Sequence, residues 1–276
     1  MDFAGRRAAF RRLHESGCFV IPNPWDVGSA RYLQGLGFKA LATTSSGFAF
    51  SRGLPDGEGG ASRDAAIDHI GTIVAATNLP VNADFQSGYG ERPGDVAESV
   101  RVCVETGVAG LSIEDRSGEV GAPLYELPLA VERIKAAREA IDVSGADVLL
   151  TARAECFLVG HPEPLREAIT RLQAYAEAGA DVLYAPGPTE REPIETIVKA
   201  VSPKPVNALV YTSSGLRVSV LAEMGVRRIS VGSSLARAAW TGFVRAAKLI
   251  ADEGSFAGFE GLVSGKELNE FFKSRA

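Results

Sequence analysis

Three short apolar runs in this chain each stop at charged residues. PVNADFQSGYG, from Pro80 to Gly90, places Asp84 just before a loop carrying Gly88 and Gly90. LSIED ends in Glu114 and Asp115, and LLTARAE ends in Arg153 and Glu155. Carboxylates so placed are hard oxygen donors suited to a divalent cation, while arginine offers a planar fork that matches a carboxylate. The other strand-end candidates are Trp25 and Asp26, Ser45–Ser46–Gly47, Gln86, Tyr184, Asn207 and Gly232–Ser233. With no histidine among them, the set points to magnesium rather than zinc. A lone acid at a strand end is commonly just a helix cap, but three charged ends in one fold argue for a site.

Such ends must be brought to one place. Eight strand-like runs recur: Cys18–Pro22, Ala40–Thr43, Val81–Asp84, Gly110–Ile113, Val148–Thr151, Val182–Ala185, Val206–Leu209 and Arg228–Val231. Their apolar positions are nearly continuous, as expected of parallel strands covered on both faces. Helical patterns lie between them, at Val27–Leu36, Arg63–Thr77, Pro93–Glu105, Pro128–Ile141, Glu163–Ala178, Glu190–Ala200, Gly215–Glu223 and Leu235–Glu253. Gly37, Gly107, Gly179 and Gly225 stand where helices should stop in a left-handed residue, and the next strand follows within about three residues. These units predict a (β/α)8 TIM barrel forming a single domain over residues 1–276, with an open doubly wound sheet as the alternative. The C-terminal ends of a barrel's strands share one rim, which is where its chemistry sits. A C-terminal extension, 255–276, adds a helix at Ser264–Lys273 whose apolar surface includes Phe256, Phe259, Phe271 and Phe272. It either lids the bottom of the barrel or docks on a neighbouring subunit.

Composition narrows the function classes. The 276 residues are 46% hydrophobic and 23% charged, ordinary for a soluble enzyme. A formal net charge of −5 provides no basic stripe for nucleic acid. Cys18, Cys103 and Cys156 cannot all pair within one chain, so a reducing cytoplasm is the expected location. The N-terminal MDFAGRRAAFRRLHESG reads as an amphipathic helix without a signal-peptide core. No run is apolar for the ~20 residues that a membrane span needs.

DFQSGYG, IED about thirty residues later, TARAE beyond it and SSGFAFSRGLPD upstream together resemble the isocitrate lyase/phosphoenolpyruvate mutase superfamily. The resemblance covers nearly the whole chain and keeps the family's motif order. It implies a magnesium-dependent barrel, assembled as a homotetramer (a dimer of dimers) whose last helices exchange between subunits. It further implies that Asp84 anchors the metal and that Glu114 holds it through water. Arg153 then neutralises the substrate carboxylate, Ser46 and Gly47 bind that carboxylate's other end with Ser45 beside them, Asp56 is a site aspartate that joins Arg153 and Glu114 as the expected catalytic set, and Asn207 contacts the substrate. Tyr184, at a strand end, is read from its position as a proton donor within the substrate-binding set or as a packing residue.

Two departures from the family pattern carry information. Gln86 stands where the family has an acid, leaving a metal contact through water. The loop DRSGEVGAPLYE lacks the lysine–cysteine–glycine–histidine run of isocitrate and methylisocitrate lyases, which argues against those two activities. The leading expectation is a carbon–carbon lyase or decarboxylase acting on a small 2-oxo or 2-hydroxy carboxylate through a metal-stabilised enolate. Phosphonopyruvate hydrolase or phosphoenolpyruvate mutase chemistry is the alternative enzyme, and a non-catalytic dicarboxylate-binding barrel the alternative class. Cys156 is expected as a buried thiol, His161 on the surface, and His14 and His69 as structural. Tyr211 is a packing residue or a proton donor, and Gly232–Ser234 a tight turn or a phosphate site.

Overall fold

A computed structural model describes residues 2–57, 60–213 and 215–274. Positions 275 and 276 of the expected C-terminal extension, and position 1, lie outside the described residues. The strands are β1 Phe19–Ile21, β2 Leu41–Ala42, β3 Val81–Asp84, β4 Gly110–Glu114, β5 Leu149–Arg153, β6 Val182–Tyr184, β7 Val206–Leu209 and β8 Arg228–Ser230. All pair in parallel, in the order β1-β8-β7-β6-β5-β4-β3-β2. The Ala42 N–H donates to Pro22 O at 3.1 Å, which draws the two ends of the sheet into a nearly closed barrel. This is the expected (β/α)8 architecture.

Eleven helices surround it among the described residues: α1 Phe3–Glu15, α2 Val27–Gly35, α3 Ser45–Ser51, α4 Arg63–Ala76, α5 Pro93–Glu105, α6 Leu127–Val143, α7 Pro164–Glu177, α8 Arg191–Ala200, α9 Val218–Glu223, α10 Ser234–Glu253 and α11 Gly265–Lys273. Gly37, Gly107, Gly179 and Gly225 have φ of 88°, 88°, 102° and 87°, the left-handed stops read from the sequence. Asp26 opens α2 through a capping box with Ser29.

Side chains alternate across the strands. Ala83, Leu111, Ile113, Leu150, Ala152 and Leu183 join the large apolar cluster with Ile73, Val100, Ile134 and Leu172 of the helices. Asn82, Ser112, Thr151, Asn207 and Arg228 are buried polar residues of the same strands, whereas barrel interiors are ordinarily filled by branched aliphatic residues. The bottom is closed by α1: Phe10 is fully buried against Ile21, Ala40, Ala109, Leu149 and Val182. The expected bottom lid is therefore this N-terminal helix, while α11 lies against α2, with Phe271 and Tyr32 rings 4.4 Å apart. Between them α10 buries only Ala236 and leaves Trp240, Phe243 and Val244 exposed, followed by exposed Phe256, Phe259, Leu262 and Val263. No helix among the described residues is long and apolar enough to cross a membrane.

Candidate active site

The three charged strand ends meet. Strand pairing sets Glu114 beside Arg153, so β4 and β5 deliver an acid and a base at the same level. Arg153 Nη1 lies 3.2 Å from Asp84 Oδ1 and 3.2 Å from Glu114 Oε2, and its Nε donates to Glu155 Oε1. Glu155 is fixed in turn, since its N–H donates to Asp115 Oδ1 at 2.9 Å. Asp115 Oδ2 accepts from Tyr175 Oη at 2.6 Å and from Arg171 Nη1 at 3.1 Å. Asp115, the second acid of LSIED, thus points away from the rim and braces Glu155, which braces Arg153. The role of Glu155 was visible only as a charge two residues past the arginine.

The loop after β2 comes to the same place, though not as a loop. Ser45, Ser46 and Gly47 form the first turn of α3, capped by Thr44, whose Oγ1 accepts from the Gly47 N–H at 3.2 Å. The Ser45 N–H donates to Asp84 Oδ2 at 2.9 Å, and Thr43 Oγ1 accepts from the Asp84 N–H at 2.9 Å. A methyl group on Gly47 would stand 2.6 Å from Thr44 Cγ2 and 3.1 Å from Trp25 Cβ, so only glycine fits. Asp56 lies beside this group, where Asp84 and Ser45 both act on its carboxyl.

The loop after β3 is held from outside. Arg133 of α6 is buried beneath the Tyr125 ring, 4.0 Å from its centroid, and donates to the carbonyls of Ser87, Gly90 and Glu91. Gln86 and Tyr89 take left-handed φ of 48° and 54°, unusual for residues with a Cβ. The Gln86 carbonyl accepts from the Glu114 N–H at 2.9 Å, and its side chain lines a small pocket with Ser45, Asp84 and His69.

Tyr184 and Asn207 lie deeper. The Arg153 guanidinium sits 5.3 Å from the centroid of the Tyr184 ring. Asn207 is 1% exposed, with Nδ2 donating to Ser230 Oγ at 2.9 Å and Oδ1 accepting from Arg228 Nε at 2.8 Å. Its amide is committed to the barrel interior, although it borders the same cavity as Asp84 and Arg153. Arg228 itself was read only as part of a strand; an arginine opening an otherwise apolar strand was the available signal.

Burial shapes the charges. It pushes Glu114 well above the usual carboxylate range, with Glu155 and Asp84 adding to the effect and Arg153 opposing it. Asp56 is raised by burial and by Asp84. Burial alone would lower Arg153, but Glu155, Glu114 and Asp84 outweigh it and keep the guanidinium charged. Tyr184 is pushed up to about 12 by burial, so its hydroxyl is protonated at neutral pH. Cys156 is fully buried and its thiol is likewise pushed up to about 12, an inert packing residue.

A magnesium ion suits this donor set. Among the described residues no three His, Cys, Asp or Glu side chains group as a metal cage. Magnesium does not need one, because it binds through one or two carboxylates plus water and substrate oxygens. Asp84 and Glu114 would offer two such carboxylates, and both lie 3.2 Å from Arg153 Nη1. Asp84, Glu114 and Glu155 all meet Arg153, and a divalent cation would add positive charge to this acid-rich cluster.

Over residues 10–251 the chain matches the family described as phosphoenolpyruvate phosphomutase. It is 30% identical over 267 residues to a 2-methylisocitrate lyase from Halalkalibacterium halodurans, a match covering 95% of this chain and 87% of that one. Among solved structures, a Burkholderia cenocepacia protein assigned only provisionally as a lyase/mutase aligns with a TM-score of 0.93 at 46% identity, covering 98% of this chain and 97% of the other. Oxaloacetate acetylhydrolase, solved with its product oxalate, aligns with a TM-score of 0.85 at 28% identity, covering 98% and 94%.

Proposed function

Because the chain belongs to the isocitrate lyase/phosphoenolpyruvate mutase superfamily, we propose that it is a magnesium-dependent carbon–carbon lyase or decarboxylase of small 2-oxo or 2-hydroxy carboxylates. The observation that carries this reading is the convergence of Asp84 and Glu114 on Arg153 at three successive strand ends. Asp84 would hold the metal, with Glu114 and Gln86 reaching it through water. When bound, the ion acts as a Lewis acid that stabilises the negative charge of an enolate. The chain's own part is to bind and orient. Arg153, kept charged and fixed by Glu155, grips the substrate carboxylate through its fork. Ser45 and Ser46 at the start of α3 bind that carboxylate's far side, Gly47 lets the backbone approach, and Asp56 orients Ser45. When the bond to the third carbon breaks, its electron pair passes into the enolate next to these preorganised donors, and the other fragment leaves as carbon dioxide or as a carbonyl compound.

Supporting this reading, the segment that carries the acid in methylisocitrate lyases is a short closed hairpin here. Arg116 pairs with Leu124, and the Ser117 N–H donates to Pro123 O at 3.0 Å. A compact substrate is the consistent choice. Turnover of oxaloacetate, malate-type and methylmalate-type acids, with and without EDTA, tests the proposal; no turnover, or full activity in EDTA, sinks it. The phosphomutase family description motivates a second assay, phosphate release from phosphonopyruvate, and a positive result there reverses the ranking. The apolar surface of α10 and the segment after it supports docking on a second copy, as part of a homo-oligomer.

A further inference from the structure

The hairpin after β4 has one face on the helices and one on the mouth of the barrel. Arg116 pairs with Leu124 in an antiparallel bridge, and the Tyr125 N–H donates to Asp115 O at 2.9 Å. Facing residues of an antiparallel pair project to one side, and those of the next pair to the other. Asp115 and Tyr125 take the helix side: the Asp115 carboxylate bonds Tyr175 and Arg171 of α7, and the Tyr125 ring covers Arg133 of α6. Alternation therefore turns Arg116 the other way, to the side of Glu114, whose carboxylate meets Arg153 at the rim. In agreement, the positive charge of Arg116 acts both on Glu114 and on Asp56, which stands on a different element, the segment after α3. Unlike its neighbours, this guanidinium is uncommitted. Arg153, Arg133 and Arg171 all donate to protein oxygens. Arg116 is exposed, and its side chain makes no hydrogen bond or ion pair among the described residues.

We propose that Arg116 is a specificity-determining residue that grips a second carboxylate of the substrate, at the end remote from Arg153, so that the enzyme selects dicarboxylates over monocarboxylates. This rests on the lyase reading for the placement of the first carboxylate on Arg153. One guanidinium matches one carboxylate through its paired N–H donors. The rest of the hairpin carries Glu119 and no second basic residue, so it offers nothing for the extra charge of a phosphonate.

Calorimetric titration of the full chain with magnesium present gives the test. The probes are malate, 2-hydroxybutyrate, in which a methyl group replaces the second carboxylate, and oxalate, whose two carboxylates are directly joined and occupy only the Arg153 end. The parent is expected to bind malate about tenfold more tightly than 2-hydroxybutyrate, the worth of one hydrogen-bonded charge pair. Arg116→Gln should lose that preference while 2-hydroxybutyrate and oxalate bind as they do to the parent, and Arg116→Lys should keep part of it. Both variants are expected to fold, since the side chain is exposed and the bridge to Leu124 is made by the backbone. A preference for malate that survives Arg116→Gln overturns the proposal, as does an equal loss for oxalate, which marks a general field rather than a contact. Tighter binding of 3-phosphonolactate, the phosphonate analogue of malate, that is lost in Arg116→Gln overturns it in favour of a phosphonate. Oxalate separates the two readings: if it binds and malate is not preferred, the lyase site stands and Arg116 is dismissed. If oxalate does not bind, the lyase site falls, and this proposal with it.

Discussion

Replacing Glu155 by glutamine and, separately, by alanine distinguishes what its charge does from what its shape does. Glu155 is 1% exposed, accepts from Arg153 Nε, and has its own backbone fixed by Asp115. Glutamine keeps the shape and an acceptor oxygen while removing the charge. Glutamine still accepts from the charged guanidinium, so the bond stays within the range of about 1.5–3 kcal/mol and the exchange moves it from the upper to the lower part of that range, at a cost of about 1 kcal/mol. Opposing this, Glu155 repels Glu114 and Asp84 within the same buried cluster, and that repulsion disappears. The two effects nearly cancel, and Glu155→Gln is expected to lie within about 1 kcal/mol of the parent. Alanine leaves Nε buried without an acceptor and opens a hole beside it, for an expected loss of about 3 kcal/mol. Urea unfolding at constant m-value measures both. With its rotamer released, Arg153 should also lose about a hundredfold in kcat/KM in the alanine variant and much less in the glutamine one. Equal losses of stability in the two variants would refute the reasoning, because charge alone would then be holding the arginine.

Three further outcomes are expected. Gln86→Asp should tighten magnesium binding about tenfold, since it restores a negative charge close to the cation, while Asp84→Ala should remove it; isothermal titration with magnesium alone reads both, and no change in either misplaces the metal. His14 is buried with Nδ1 2.8 Å from Phe10 O, and its pKa is lowered to about 3 by burial and by Arg228. The unfolded chain therefore takes up a proton near 6.5 that the folded one refuses, so this contribution is complete above pH 6.5 and is lost as pH falls towards 3. The slope is up to about 1.4 kcal/mol per pH unit, or about 2 kcal/mol between pH 6.5 and 5, and His14→Phe should flatten that part of the stability profile. Trp240 and Phe243, with rings 5.2 Å apart on exposed α10, should be central to self-association; Trp240→Glu with Phe243→Glu is expected to reduce the mass seen by light scattering, and an unchanged mass dismisses this face as the interface.

Most of the fold was legible because parallel barrels repeat one short rule: an apolar strand, a charged or glycine-bearing loop, a helix, a glycine stop. The strand boundaries were short by a residue or two at β4 and β5, which run through to Glu114 and Arg153. A charged residue ending an apolar run looks like a loop in sequence, but here pairing between Glu114 and Arg153 continues the ladder. Helix α3 was missed because SSGFAFS is a poor helix former. It owes its first turn to the Thr44 cap and to Asp84 accepting from Ser45, contacts that propensity does not encode. Asn207 was placed at the rim by motif position, whereas its partners Ser230 and Arg228 lie inward, on a strand beyond the reach of any local pattern.

Gly47 has a consequence for the order in which this chain can become functional. The third atom that a methyl group there would meet, at 3.3 Å, is Cβ of Ala236, the one buried residue of α10. The turn carrying Ser45 and Ser46 is thus wedged between Trp25 and a helix that leaves the ribosome about two hundred residues later. Contacts of such long sequence separation form late, because the chain entropy of closing the loop is lost before the contact rewards it. A nascent chain that has exposed every strand but not yet α10 holds its two acids and its arginine without the wall against which that turn rests. Competence therefore waits for α10, and a truncation before Ser234 is expected to abolish it even where the eight strands remain paired.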